Sequence, residues 1–134
     1  MESDILPVQY RPMSEHRYSV EERRNHLEAF AEALEAASPA ISQADALARY
    51  APAFEDFALQ AREFLAVGFT QSDLTALANG LPDPLGMRRN PRWEPPCVQI
   101  ADGRYATAPW FAPIQPKLEA VNLAADTLRT VGYY

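Results

Sequence analysis

The sequence is poor in several features, and each shortage excludes a class of protein. Of its 134 residues only five are glycine and one is cysteine, Cys97. One cysteine excludes an internal disulfide, and the scattered glycines have neither the Rossmann nor the P-loop spacing. No apolar run approaches the roughly 20 residues that span a bilayer, and the acidic start at residues 1–4 lacks the features of a secretory signal. We therefore expect a cytoplasmic protein without a phosphate-binding loop or a membrane anchor.

Positive charge is also scarce. The chain has eighteen acidic and twelve basic residues, for a net charge of −6. This balance argues against binding to nucleic acid or to an anionic membrane, since both need clustered Lys and Arg. Residues 1–79 hold thirteen of the acidic residues and only six basic ones. The acidity therefore belongs to the N-terminal part of the chain, and it favours a basic protein partner.

Length and periodicity predict the fold. A chain of this size is an ordinary single domain with a core of its own. We expect a mainly α single-domain bundle of four to five helices, with a Pro-rich loop and a small β-hairpin before the last helix. The predicted parts of 1–134 are an irregular arm at 1–18, helices within 19–79, a Pro-rich loop at 80–116 and a C-terminal helix at 116–131.

Capping residues mark the start of the first helix. Ser19 and Glu22 have the spacing of a capping box, in which each side chain accepts a hydrogen bond from the other residue's backbone N–H. Pro39 is expected to end this helix. Ser42 with Asp45 then resembles a second N-cap.

The second helical segment contains a proline whose effect has two interpretations. Either one long helix kinks at Pro52, or a short helix ends at Tyr50 and Pro52 occupies the first turn of a new helix. We favour the break. Gly68 is expected to close this segment, and Thr70 with Asp73 forms a second capping box that begins the third helix.

The segment after the third helix is different in kind. Eight of the twelve prolines lie within residues 80–116, a density that excludes a regular helix of useful length. Within it, Asp102-Gly103 suits a two-residue turn, which predicts a β-hairpin over residues 97–107. In that register Ile100 pairs with Tyr105, and the hairpin must pack on the helices because an isolated hairpin is only marginally stable.

Two surfaces are candidates for binding a partner. The first is an acidic stripe on the first helix, where Glu28, Glu32 and Glu35 follow helical spacing and repel one another, and where Arg24 can relieve the repulsion at Glu28 only. Three further carboxylates extend this acidity into the second segment: Glu55, Asp56 and Glu63. A solvated helix face is the alternative interpretation of the stripe.

The second candidate is a rigid loop that combines planar cations with large aromatics. It contains Arg88, Arg89, Arg92 and Trp93, and Trp110 follows the hairpin. Arginine suits carboxylates and phosphates, and tryptophan often anchors interfaces. Alternatively, both tryptophans pin the loop onto the bundle and the arginines pair with acidic helices.

No motif for catalysis or metal binding is present. Cys97 is the candidate nucleophile and His16 and His26 are the only histidines, but none lies in a catalytic motif. Glu22 and His26 are four residues apart, whereas zinc needs three or four ligands. We therefore expect no catalytic residue, no metal site and no cofactor.

Three hypotheses for the function follow. The first is a non-enzymatic inhibitor of the immunity or antitoxin type, which neutralises a partner protein, for example a basic toxin or effector, by direct binding. The second is a chaperone or adaptor for a secreted or multi-component system. The third is a small enzyme or ligand-binding domain in which Arg88, Arg89 and Arg92 hold an anionic ligand. The oligomeric state stays open.

Overall fold

A computed structural model describes the backbone of residues 18–133 and the side chains of residues 18–131. The described chain is mainly helical, with a two-stranded antiparallel hairpin before the last helix, which confirms the predicted class. It contains four α-helices rather than four to five. The predicted arm lies outside the described residues, apart from Tyr18. The elements are α1 (Val20–Ser42), a 3-10 turn (Ala48–Tyr50), α2 (Ala51–Val67), α3 (Gln71–Gly80), a second 3-10 turn (Pro84–Gly86), β1 (Cys97–Ala101), β2 (Arg104–Thr107) and α4 (Gln115–Tyr133).

Helix α1 begins as predicted and ends later than predicted. The Ser19 hydroxyl accepts from the Glu22 N–H at 3.0 Å, and the Glu22 carboxylate accepts from the Ser19 N–H at 2.7 Å. The expected end at Pro39 is wrong, because the proline lies on the exposed side and α1 continues to Ser42. Ile41, beyond the proline, is fully buried. Burying an isoleucine side chain stabilises the fold by about 1.5–3 kcal/mol. This free energy offsets much of the cost of the backbone hydrogen bond that is lost at Pro39.

The connection from α1 to α2 decides between the two interpretations of Pro52. A 3-10 turn ends at Tyr50, and α2 begins at Ala51 with Pro52 in its first turn. A missing N–H costs no intrahelical hydrogen bond there, so the break is confirmed. The predicted N-cap at Ser42 is wrong, because Ser42 is the last residue of α1 and its hydroxyl donates to the Pro39 carbonyl at 2.8 Å.

The boundary between α2 and α3 follows the prediction. Gly68 ends α2 with φ 109° and ψ 163°, a region in which essentially only glycine is stable. The Thr70 hydroxyl accepts from the Asp73 N–H at 3.1 Å, and the Asp73 carboxylate accepts from the Thr70 N–H at 2.8 Å. The second capping box is thus confirmed. It places the fully buried Leu74 in the first turn of α3.

The hairpin forms where it was predicted, but its register and packing differ. Ala101 pairs with Arg104 across the expected turn. Tyr105 then pairs with Gln99, so a bulge at Ile100 replaces the predicted Ile100–Tyr105 pair. Nearly all of both strands is exposed, and no helix in the described residues packs closely against them. The expectation that the hairpin packs on the helices is therefore wrong for the described part of the chain.

Helix α4 is longer at both ends than the predicted range 116–131. It runs from Gln115 to Tyr133, so Gly132 lies inside its last turn rather than ending it. A glycine ends a helix when it adopts a left-handed conformation, and the backbone of Gly132 stays helical. The expected inward side chains are all buried: Ile114, Leu118, Val121, Ala125 and Leu128.

Helix α1 is the centre of the bundle. It packs against α2 and also against α4, and α4 packs in turn against α3. Helices α2 and α3 are neighbours in sequence but are not closely packed against each other, which leaves a groove between them. The largest fully buried side chains are Phe30, Phe54 and Phe111. No helix of the described residues is long and apolar enough to cross a membrane.

Candidate functional site

The acidic surface comprises Glu28, Glu32 and Glu35 on α1 with Glu55 and Asp56 on α2. All five residues are exposed to solvent. Helix α2 packs on α1, so the stripe and its predicted extension lie on adjoining helices, and Asp56 is on the side of α2 that lines the groove next to α3. Within the described residues, Glu28 and Glu32 form no hydrogen bond or ion pair.

One arginine of α2 neutralises part of the acidic surface. The Arg62 guanidinium donates to both oxygens of Glu35, from Nε at 2.9 Å and from an Nη at 2.8 Å. These hydrogen bonds lower the pKa of Glu35 and raise the pKa of Arg62. The negative charges of Glu28 and Glu32 also favour the protonated guanidinium of Arg62. Sequence spacing within α1 alone missed this partner, because Arg62 lies on another helix.

The cations at the start of α1 have a structural role that the sequence did not predict. Arg24 was expected to relieve Glu28, but its guanidinium donates to the Leu65 carbonyl in the last turn of α2 at 3.0 Å. Arg23 donates to the Val131 carbonyl near the end of α4 at 3.1 Å. Cations at helix C-termini donate hydrogen bonds to the free carbonyls there and interact favourably with the negative end of the helix dipole. The expected relief of Glu28 by Arg24 is therefore wrong.

A buried carboxylate holds the beginning of the Arg/Trp loop. The Asp83 side chain is 4% exposed and accepts from the backbone N–H groups of Arg88, at 3.0 and 3.1 Å, and of Arg89, at 3.2 Å. Arg89 Nε also donates to it at 3.3 Å, and Arg88 Nε lies 3.5 Å away. Arg88 further donates to the carbonyls of Leu81 and Pro82. Two of the three loop arginines thus pair with an acid, as the structural alternative supposed, but the acid belongs to the loop itself.

The two tryptophans occupy different environments. Trp93 is partly buried and packs against the buried Phe111, with ring centroids 5.9 Å apart. Trp110 meets the same phenylalanine edge-on at 5.5 Å but is 42% exposed. Trp93 therefore pins the loop onto the core, whereas Trp110 keeps a large apolar surface in solvent.

A polar cavity of about 400 Å³ lies beside the loop. Its lining includes Arg88 and Arg89 together with Arg129 of α4, which pairs with Asp126. Arg92 is exposed and does not line this cavity. The structure therefore brings together two of the three arginines of the ligand-binding hypothesis, and Asp83 already compensates both of them.

The groove between α2 and α3 is a feature that sequence analysis missed. It encloses about 370 Å³ and is lined by Asp56, Phe57, Gln60, Phe64, Asp73, Ala76 and Leu77. Phe57 and Phe64 are partly buried, beside the buried stripe of α2. Their i, i+7 spacing is a second apolar row on α2, and this row is the signal that would have revealed the groove.

The candidate groups for catalysis lie apart from any recognisable site. Cys97 is exposed and its thiol donates to the Pro95 carbonyl at 3.2 Å. His26 meets the Tyr18 ring edge-on at 6.4 Å, and His16 lies outside the described residues. Among residues 18–131, no cluster of three or more His, Cys, Asp or Glu side chains could hold a metal ion.

Comparisons with known proteins found no match for this chain among protein-family models, curated proteins or solved structures.

Proposed function

We propose that this chain is a non-enzymatic inhibitor of the immunity or antitoxin type, which acts in the cytoplasm by binding a basic partner protein. The observation that carries the proposal is the acidic surface, which stays exposed on two packed helices. Opposite charge on a partner would raise the association rate and orient the encounter. A partner that loses its activity on binding makes the chain an inhibitor.

The charges of the two candidate surfaces support the acidic surface over the loop. In the loop, Asp83 binds Arg88 and Arg89, and Trp93 packs against the core, so these groups already have partners within the chain. On the acidic surface Glu35 is paired by Arg62, and it is the one carboxylate of the five with an ion pair among residues 18–131. Charge that is not compensated internally is the charge that a partner meets.

The experiment captures the partner and tests which charges it uses. The full chain serves as bait in its native cells, as wild type and as the double variant Glu28→Lys, Glu32→Lys. Glu35 is left unchanged because its replacement would also break the pair with Arg62. We expect one dominant basic protein at equal stoichiometry with the wild type, and a loss of the partner's activity in the complex.

The purified pair then reports on steering. We expect the double variant to associate about tenfold more slowly at low ionic strength, with a difference that shrinks as added salt screens the charges. Glu94→Lys combined with Glu119→Lys is the matched control, since it changes the net charge equally at exposed residues outside the acidic surface. Equal slowing by both variants would refute the role of the acidic surface.

Other outcomes separate the remaining hypotheses. A stoichiometric partner that keeps its full activity in the complex would favour a chaperone or adaptor. Recovery of no protein, together with thermal stabilisation of the chain by a small anion, would overturn the proposal and favour a ligand-binding domain. The cavity beside Arg88, Arg89 and Arg129 is the place where that anion would bind.

A further inference from the structure

The groove between α2 and α3 has an apolar floor. Phe57 and Phe64 of α2 and Leu77 of α3 line it, and the exposed Ala76 lies on the α3 side. The Phe57 ring would be 3.4 Å from a Cβ on Gly80, so this aromatic ring reaches across to the end of α3. The groove is open to solvent and would leave much of a small ligand uncovered, whereas small-molecule sites bury most of their ligand. Its lining follows α2 from Asp56 to Phe64, about two helical turns, which suits side chains presented by an elongated element.

The rim of the groove is negative on both sides. Asp56 lies on the α2 wall and Asp73 on the α3 wall. Asp73 uses one oxygen, Oδ2, to cap α3, and its other carboxylate oxygen stays available as an acceptor. Helix α3 has no basic residue, and Arg62, the single base of α2, is directed towards Glu35 on α1. No basic side chain of α2 or α3 therefore pairs with the two rim carboxylates.

We propose that this groove binds an amphipathic basic helix of the partner protein. Apolar side chains at helical spacing would pack on Phe57, Phe64 and Leu77, and Lys or Arg side chains on the flanks would meet Asp56 and Asp73. Recognition of a helix by a groove uses such i, i+4 and i+7 anchors. The negative rim on both walls selects a helix with basic flanks, since like charges there would repel. This proposal rests on the proposed function, because it names the element of the basic partner that the chain binds.

The test uses the full chain and a defined probe. The probe is a synthetic peptide of about five helical turns, built from Leu and Lys so that all leucines fall on one face. A peptide of the same composition with scrambled order has equal charge without an apolar face. We expect the amphipathic peptide to bind and to shift the backbone NMR signals of residues 57, 60, 76 and 77, and the scrambled peptide to bind about tenfold more weakly.

A matched pair of variants places the binding site. Ala76→Arg inserts a long cation into the groove from an exposed helical position, whereas Ala66→Arg makes the same change at an exposed alanine of α2 that does not line the groove. We expect Ala76→Arg to weaken binding of the amphipathic peptide about tenfold, and Ala66→Arg to change it by less than about twofold.

Several results would overturn the groove proposal. One is signal shifts centred on Glu28 and Glu32 rather than on the groove. Another is equal weakening by the two arginine variants. Without peptide, Ala76→Arg reports on other occupants: a change in oligomeric state would assign the groove to a second copy. Signal shifts in residues 1–17, in addition to those of the neighbours of position 76, would assign it to the chain's own N-terminal segment.

Failure of the groove proposal is distinguishable from failure of the proposed function. The native partner's response to Glu28→Lys, Glu32→Lys decides the proposed function, and the groove variant leaves both of these residues unchanged. If the native partner is lost with Glu28→Lys, Glu32→Lys but is bound by Ala76→Arg as tightly as by the wild type, the inhibitor proposal stands and the groove proposal is refuted.

Discussion

Replacing Asp83 tests whether the Arg/Trp loop is held from inside or is free to bind a ligand. The Asp83 carboxylate is 4% exposed and accepts from two backbone N–H groups and from the Arg89 side chain. Arg88, its second charged neighbour, has a side chain that is 15% exposed. In Asp83→Ala these groups lose their acceptor, and Arg88 remains partly buried without its counter-charge.

The magnitude follows from the burial of each group. Removing one partner of a fully buried ion pair costs about 3–5 kcal/mol. The cost for Asp83→Ala is lower, because a polar cavity borders Arg88 and the Arg89 side chain is 81% exposed and can turn to water. We expect Asp83→Ala to reduce the free energy of unfolding by about 2–3 kcal/mol. For a chain of this length the loss corresponds to a fall in Tm of about 10 °C.

Urea unfolding at neutral pH measures this loss, with calorimetry for the Tm. Arg89→Gln is the control, because it removes the exposed member of the cluster and should cost at most about 0.5 kcal/mol. Asp83→Asn keeps one acceptor oxygen and should fall between the two. An Asp83→Ala variant no less stable than Arg89→Gln would refute the reasoning, and it would return Arg88 to the candidates for binding an anionic ligand.

Two further predictions concern backbone strain and pH. Gly68→Ala should destabilise the chain by about 1–3 kcal/mol, because Gly68 has φ 109°. Gly80→Ala should instead stabilise it by about 0.5 kcal/mol, because Gly80 is helical and the new Cβ would contact Phe57 at 3.4 Å. Equal effects of the two substitutions in thermal unfolding would contradict this prediction. Glu35→Gln should cost about 0.5 kcal/mol at neutral pH, since both members of the pair with Arg62 are more than a third exposed. Arg62 lowers the pKa of Glu35, so this contribution is present above the ordinary glutamate value of about 4.3 and is lost as the pH falls through the lower folded value. Urea unfolding should therefore show a lower free energy of unfolding for the variant at a pH above the ordinary glutamate pKa. Below the lowered pKa of folded Glu35, wild type and variant should have equal free energies of unfolding.

Features of the fold that depend on neighbouring residues could be predicted from the sequence. The capping boxes at Ser19 and Thr70 form as expected, because each needs only a side chain and a backbone N–H three residues away. Pro52 lies in the first turn of a helix and Pro39 lies inside one, although both prolines lie in segments with helical periodicity. The difference comes from the burial of Ile41 beyond Pro39, and burial depends on tertiary packing that local sequence does not contain.

The candidate site was less predictable, because its decisive contacts join distant residues. Glu35 and Arg62 are 27 positions apart, and their contact depends on how α2 packs on α1. Asp83 lies between two prolines and belongs to no sequence motif, yet its carboxylate binds the backbone of the two arginines that follow it. The groove shows the same limit: the second apolar row of α2 is visible in the sequence, but the loose packing of α2 against α3 that leaves the groove open is not.

Helix α2 directs its one basic side chain and one of its carboxylates towards different neighbouring helices. Its single base, Arg62, is directed towards α1, where it binds Glu35 and lies in the field of Glu28 and Glu32. Its carboxylate Asp56 lines the groove beside α3. The part of the acidic surface on α1 is thus exposed and partly compensated, which suits long-range steering. The groove combines carboxylates that pair with no basic side chain of its own two walls with an apolar floor, which suits close contact. Steering acts on the association rate and close contact acts on the dissociation rate. With one and the same partner, the charge reversals on α1 should therefore slow association, whereas Ala76→Arg should speed dissociation.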